Sequence, residues 1–123
     1  MKQINIKTEV PGPKSKILLE LRHQHVARGP FHATPIFVER AKGSFVEDVD
    51  GNVFLDFSSG FGVVILGHSP DAVVNVIKAQ AEKFLHTSFN ILPFESYIKV
   101  CEKLNYHTPG RFEKKINPIK FGR

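Results

Sequence analysis

A chain of 123 residues with 41% hydrophobic and 24% charged residues has the composition of one small folded domain, which excludes a collagen-like or low-complexity polymer. No apolar run approaches the roughly 20 residues that cross a bilayer and Met1 to Lys7 lacks the apolar block of a secretory signal, so a cytoplasmic protein with no membrane role is expected. The net charge of +5 divides into +4 over residues 1–28, −4 in the middle and +5 over residues 103–123; neither basic end has interleaved aromatics or a groove-reading motif, so both read as a solvated fringe and no nucleic-acid partner is expected.

Residues 1–13 contain Pro11-Gly12-Pro13 and little apolar periodicity, which predicts an extended arm and not a packed element. Ser15 is placed to cap a helix with Ile17, Leu18, Leu21 and Val26 on one side, ended by Gly29-Pro30. Ile36 to Arg40 reads as a short strand closed by Lys42-Gly43. Ser44 to Val49 and Asn52 to Phe57 flank Asp50-Gly51, a dipeptide suited to a turn with positive φ, and this hairpin is the strongest local signal in the chain. Val53, Leu55 and Phe57 share one of its faces by the period of two. A glycine-rich loop, Ser58 to Gly67, follows.

Ser69 then caps a second helix, with Pro70 at its first position and Asp71 in its first turn, where a missing amide and a negative charge are both favourable. Val73, Val74, Ile77, Ala81 and Phe84 give that helix an apolar stripe, and it is expected to run to about Leu85. Thr87 to Leu92 is a connector broken by Pro93. Phe94 to Asn105 predicts a third helix with Tyr97, Ile98, Cys101 and Leu104 directed inward, ended by Pro109-Gly110. Cys101, the single cysteine, falls at an apolar helical position and reads as a buried thiol. The six histidines lie in different elements or diverge on one helix, so no metal site is expected. Ser58-Ser59-Gly60 lacks the preceding glycine and the assignable base of a nucleophile elbow, and reads as small residues in a close turn.

Several segments, in order and spacing, carry a family likeness: Val10-Pro11-Gly12-Pro13-Lys14-Ser15, Val26-Ala27-Arg28-Gly29, Pro35 to Ala41, Asp48-Val49-Asp50-Gly51-Asn52, Leu55-Asp56-Phe57, Gly67-His68, His86-Thr87-Ser88-Phe89 and Pro109 to Lys115. Each is weak alone; their joint order resembles the opening segment of the class III, fold-type I aminotransferases, and most of all the 4-aminobutyrate branch. The resemblance implies an α+β fragment: an N-terminal arm and helix, a β-hairpin or small sheet, then two helices. It divides the chain into an arm (1–13), a small-domain helix, hairpin and glycine-rich loop (14–68), helices leading toward a large domain (69–110) and a divergent tail (111–123). It implies pyridoxal 5'-phosphate as the cofactor of the full-length relatives. It also places Phe61, Phe89 and Asn90 in the substrate pocket, and Gly60, Gly62 and Val63 on a loop at the pocket and homodimer interface. Asn90 departs from the Gln or His of 4-aminobutyrate enzymes. Gly67-His68-Ser69-Pro70 is one residue shorter than the family pattern.

After Phe112-Glu113-Lys114-Lys115 the family continues into a strand and the loop that holds the cofactor phosphate, whereas Ile116 to Arg123 does not match it. None of the twelve lysines lies in a context like the family's Schiff-base lysine, so no catalytic residue is assigned and stable cofactor binding is not expected. A phosphate site at the start of the Pro70 helix is disfavoured by Asp71, which already places negative charge on those amides. The sequence is thus expected to be a truncated or frame-disrupted N-terminal part of an aminotransferase that moves an amino group from 4-aminobutyrate or a similar amine to 2-oxoglutarate, inactive alone and prone to self-association through exposed apolar faces. The alternative is a short non-catalytic interaction protein that pairs with a full-length aminotransferase.

Overall fold

The hairpin at Asp50-Gly51 forms as expected and organises everything N-terminal to it. The structure is a computed structural model that describes residues 3–109, and its elements are α1 (Pro13–His25), β1 (Val38–Lys42), β2 (Phe45–Asp48), β3 (Val53–Leu55), α2 (Ser59–Gly62), α3 (Asp71–Ala81) and α4 (Glu95–His107). The divergent tail 111–123 lies outside the described residues. Two compact units meet in sequence between Gln80 and Ala81.

In the first unit the three strands form an antiparallel sheet in the order β1-β2-β3. Lys42 pairs with Phe45 across a tight turn, and Val46 pairs with Phe54 and Glu47 with Val53 across the second hairpin. Gly51 sits at φ +83, the left-handed conformation that an Asp-Gly turn requires. The first strand starts and ends two residues later than expected, because pairing with β2 carries it through Lys42 and leaves Gly43 (φ +59) and Ser44 to make the bend.

Among the described residues only Val46 and Val53 are buried apolar side chains, whereas Ser15, Asp48 and Asn52 are buried polar ones. The inside of this unit is therefore a hydrogen-bond network. Asn52 is completely buried: its Oδ1 accepts from the amides of Lys7 (2.7 Å) and Thr8 (2.9 Å), and its Nδ2 donates to Thr8 Oγ1 (2.9 Å) and Asp48 Oδ2 (2.9 Å). Asn5 and Val53 exchange both backbone hydrogen bonds. The arm is extended, as its prolines and glycine suggest, but it is fastened along β3, which its sequence did not indicate.

Ser15 is not the cap of α1. The helix starts three residues earlier, with Gly12 as the capping position and Pro13 at the first turn. Its free amides are satisfied from outside by Asp50, whose Oδ1 accepts from Lys14 N (2.7 Å) and whose Oδ2 accepts from Ser15 N (3.0 Å) and Ser15 Oγ (2.6 Å). Partial burial pulls the Asp50 carboxyl up, yet the Ser15 hydroxyl and the two amides outweigh it and the net shift is down. A Cβ on Gly12 would overlap the Asp50 side chain, so glycine makes room for this borrowed cap. The helix ends at His25, short of Gly29, because β-branched Val26 turns extended at φ −102 and ψ 130. Ile17 and Leu21 of its apolar side remain 63% and 45% exposed.

The next helix, α3, begins at Asp71 and not at Pro70. Ser69 has φ +47, which is not the extended geometry of a capping serine, and the Pro70 carbonyl accepts from Val74 N (3.0 Å). Asp71 instead holds the Lys42 ammonium, which also donates to Ser69 O (2.7 Å). That hydrogen bond and the lysine charge lower the Asp71 carboxyl pKa.

In the second unit the chain leaves helical geometry after Ala81, four residues before the periodicity suggested. The Phe84 ring meets Phe94 at 5.7 Å, and Phe89 meets Tyr97 at 4.2 Å; this aromatic cluster outweighs the helical stripe. Ser88, at φ +56, closes the connector by accepting from the amides of Ile91 (2.9 Å) and Leu92 (3.0 Å). In α4, Tyr97, Ile98 and Leu104 are 51%, 59% and 59% exposed and Cys101 is only half-buried. The inward face expected there is thus largely open. No helix among the described residues is long and apolar enough to cross a membrane.

Candidate functional site

The glycine-rich loop leaves the sheet at Leu55 and returns to it at His68. At its start Asp56 makes a turn back onto its own chain: Oδ1 accepts from Ser58 N (2.7 Å), Ser58 Oγ (2.6 Å) and Ser59 N (3.1 Å). Its other oxygen, Oδ2, lies 2.7 Å from His68 Nε2. The hydroxyl of Ser58 and the His68 ring hold the Asp56 carboxyl far below the usual carboxylate range, against a smaller opposing effect of burial.

Between these anchors Ser59, Gly60, Phe61 and Gly62 have φ of +49, +59, +66 and +77. The single turn α2 is therefore left-handed, closed by hydrogen bonds from Gly62 N to Ser58 O and from Val64 N to Ser59 O, both 3.0 Å. Gly60 and Gly62 adopt this geometry without steric cost. Ser59 and Phe61 carry about 1–2 kcal/mol of strain each. At the far end Gly43 and His68 exchange backbone hydrogen bonds of 2.9 and 2.7 Å, and Gly67 (φ +80) passes so close that a Cβ would lie 3.1 Å from Gly43 Cα.

The sheet face and the loop together bound an open cavity of about 560 Å³, walled by Ile36, Val38, Ala41, Val46, Phe54 and Phe57, with Thr34, Asp56, Ser58 and His68 among its polar lining. Apolar walls with a few convergent polar groups are the general form of a small-molecule site. Phe61 is fully exposed and Val63 is 76% exposed; with Gly60 and Gly62 they form one short stretch of the first unit. Phe89 and Asn90 belong to the second unit, where Phe89 is half-buried against Tyr97 and Phe94 and Asn90 is exposed. The roles of Asp56, His68 and Asn52 were missed from the sequence, although Asp-x-Asp-Gly-Asn and Leu-Asp-Phe contain the side chains that bond to their own backbone in turns.

A bound phosphate needs free amides at a helix N-terminus or a cluster of cations. At α3 the first turn carries the Asp71 carboxylate with Lys42 already paired to it, and every described lysine is exposed. The start of α3 therefore does not fit a cofactor phosphate, and no described lysine is buried as an imine-forming lysine would be. No group of three or more His, Cys, Asp or Glu among them could hold a metal ion.

An arm, a helix, a three-stranded sheet and a glycine-rich loop leading into further helices define the N-terminal part of a fold-type I aminotransferase. The acetylornithine aminotransferase of Elizabethkingia anophelis superimposes with a TM-score of 0.69 at 30% identity, over 75% of this chain and 24% of that one. An omega-transaminase of Sphaerobacter thermophilus gives a TM-score of 0.70 over 80% of this chain and 23% of that one; at 23% identity it shows the fold alone. The aminotransferase class-III family model matches residues 26–122, and the chain belongs to that family, whose enzymes work with pyridoxal phosphate. It is 45% identical over 108 residues to the 4-aminobutyrate aminotransferase of Mycobacterium leprae, covering 88% of this chain and 24% of the relative. It is 42% identical over 105 residues to a 5-aminovalerate aminotransferase of Pseudomonas putida, covering 85% and 25%. The chain thus spans about a quarter of the length of the curated relatives it matches.

Proposed function

We propose that this chain supplies the N-terminal wall of the substrate pocket, and part of the homodimer surface, of a cytoplasmic aminotransferase that takes its amino group from 4-aminobutyrate or a similar terminal amine and passes it to 2-oxoglutarate. In this reading residues 14–68 belong to a small domain and residues 69–110 lead toward a large one. The observation that carries it is the left-handed turn displaying an unpacked Phe61, in a chain 45% identical to a 4-aminobutyrate enzyme.

The described residues act by binding, not by covalent chemistry. The Phe61 ring offers an apolar surface to the methylene chain of an ω-amino acid, while Gly60, Gly62 and Val63 set its position at the subunit boundary. In the second unit the family likeness assigns Phe89 and Asn90 to substrate contact, and the Asn90 amide is able to donate to a carboxylate. Because asparagine is one methylene shorter than glutamine, a donor slightly longer than 4-aminobutyrate is accommodated.

The test is a chimera in which residues 3–109 replace the matching segment of the Escherichia coli 4-aminobutyrate aminotransferase, 41% identical to this chain. Phe61→Ala in that chimera is expected to raise KM for the amine donor roughly tenfold with a smaller change in kcat, since one apolar pocket contact is worth about 1–3 kcal/mol. Asn90→Gln is expected to shift preference from 5-aminovalerate toward 4-aminobutyrate. Unchanged kinetics in both variants would remove the pocket reading.

A further inference from the structure

We propose that Asp56 and His68 are positioning residues for Phe61, fastening the two ends of the glycine-rich loop so that the left-handed turn holds that side chain in place. The proposal rests on the reading that Phe61 faces substrate, but its structural core is independent of it.

Packing does not hold the loop. Phe57, Phe61, Val63, Ile65 and Leu66 are 90%, 100%, 76%, 89% and 76% exposed, so hardly any apolar contact opposes relaxation of the strained Ser59 and Phe61 backbone. Polar contacts are what remain, and they converge on one carboxylate. Asp56 Oδ1 gathers three donors from Ser58 and Ser59 directly before the turn, which steers the chain from the right-handed conformation of Ser58 (φ −82, ψ −24) into the left-handed one. Oδ2 engages His68 Nε2, and His68 is itself anchored to the sheet through its two backbone hydrogen bonds to Gly43. A carboxylate serves this double role because it accepts through both oxygens; asparagine would present an N–H on one side. With side-chain exposures of 12% for Asp56 and 21% for His68, water competes weakly for the pair.

The geometry makes a specific division of labour. Asp56 sets the backbone of the turn, His68 fixes Asp56 relative to the sheet, and of these three residues only Phe61 meets the substrate. Loss of the clamp should free Phe61 without dissolving the sheet, whose own pairs Val46–Phe54 and Glu47–Val53 do not involve Asp56.

Solid-state NMR of the isotopically labelled 123-residue chain, which tolerates association, reads this directly. The wild type is expected to show positive-φ carbon shifts at Ser59 and Phe61. Asp56→Ala should lose both while the Val46–Phe54 and Asn5–Val53 cross-strand contacts persist; His68→Ala should weaken them, and His68→Gln, which keeps a side-chain N–H, should restore them. Retention of the left-handed shifts in Asp56→Ala would overturn the proposal, and so would loss of the cross-strand contacts together with those shifts in both alanine variants, which would mark a general structural role. The pocket reading fails separately, through an unchanged KM in the Phe61→Ala chimera, and that result leaves the shift measurement to decide the clamp.

Discussion

At Gly67 the loop and the sheet touch backbone to backbone, and no side chain can be added there without moving one of them. The position needs φ +80 and would place a Cβ 3.1 Å from both Cα and O of Gly43, so Gly67→Ala combines left-handed strain of about 1–3 kcal/mol with separation of the Gly43–His68 pair. The variant is expected to exchange the His68 and Gly43 amide hydrogens about tenfold faster or more than the wild type; equal protection would show that the close approach is dispensable. Asp56 gives the loop a pH dependence of definite sign. Its folded pKa lies below the unfolded value of about 3.9, so its contribution is fully present above that value and is lost as pH falls through the depressed folded pKa. The Ser58 and Ser59 amide resonances should therefore move as pH falls well below about 4, when protonation of Asp56 weakens the acceptor they share. Resonances that pass through that range unchanged would contradict the clamp geometry.

The hairpin turn Asp48 to Asn52 binds three elements at once: it closes β2 on β3, caps α1 through Asp50 and holds the arm through Asn52. Asn52→Ala would strip the Lys7 and Thr8 amides of their acceptor. Each orphaned buried group costs about 1–3 kcal/mol unless the segment leaves for water, so the arm should detach and trypsin should cut after Lys7 at least tenfold faster than in the wild type. An unchanged rate would mean that the Asn5–Val53 pair alone holds the arm. The hairpin itself was legible because turn chemistry and strand alternation are local. Its second role was not, because the partners of Asn52 lie 44 and 45 residues away in sequence and nothing in local spacing encodes them. The same reason explains Ser15: a serine before an apolar stripe reads as a cap, and only the arrival of Asp50 from a distant turn shows it to be a helix residue that donates to its cap. Helix boundaries failed in kind at Ala81, where packing of Phe84 on Phe94 overrode a continuous stripe. Of the candidate site, the glycines and Phe61 were visible through family likeness, whereas the left-handed turn and its carboxylate anchor depend on backbone geometry that composition does not specify.

At the scale of the molecule the hydrophobic effect is unsatisfied. Domains of this size normally bury about 60–70% of the surface their unfolded chains expose, with apolar side chains inside; here Val46 and Val53 are the only buried apolar residues among the described ones, while Phe31, Phe57, Phe61, Ile65 and Leu85 are all 86% exposed or more. Such surface is stable in water only when something covers it. In dilute solution the cover available is another copy of the chain, and the net charge of +5 opposes that association by long-range repulsion. At physiological ionic strength the screening length is about 8 Å, so the repulsion acts only at short range and apolar burial should prevail. Sedimentation is therefore expected to show mass rising with protein concentration and a dye-binding apolar surface at the lowest concentrations. Adding sulfate should strengthen the association, because it both screens charge and favours burial. Replacing Ile65 and Leu66 with glutamate should weaken it by removing apolar area, although the same change lowers the net positive charge; the loss of area outweighs the loss of repulsion because the latter is already screened. A monodisperse monomer with a sharp cooperative thermal transition at every concentration would show that the few buried contacts of the sheet and the polar network around Asn52 suffice to hold the chain alone.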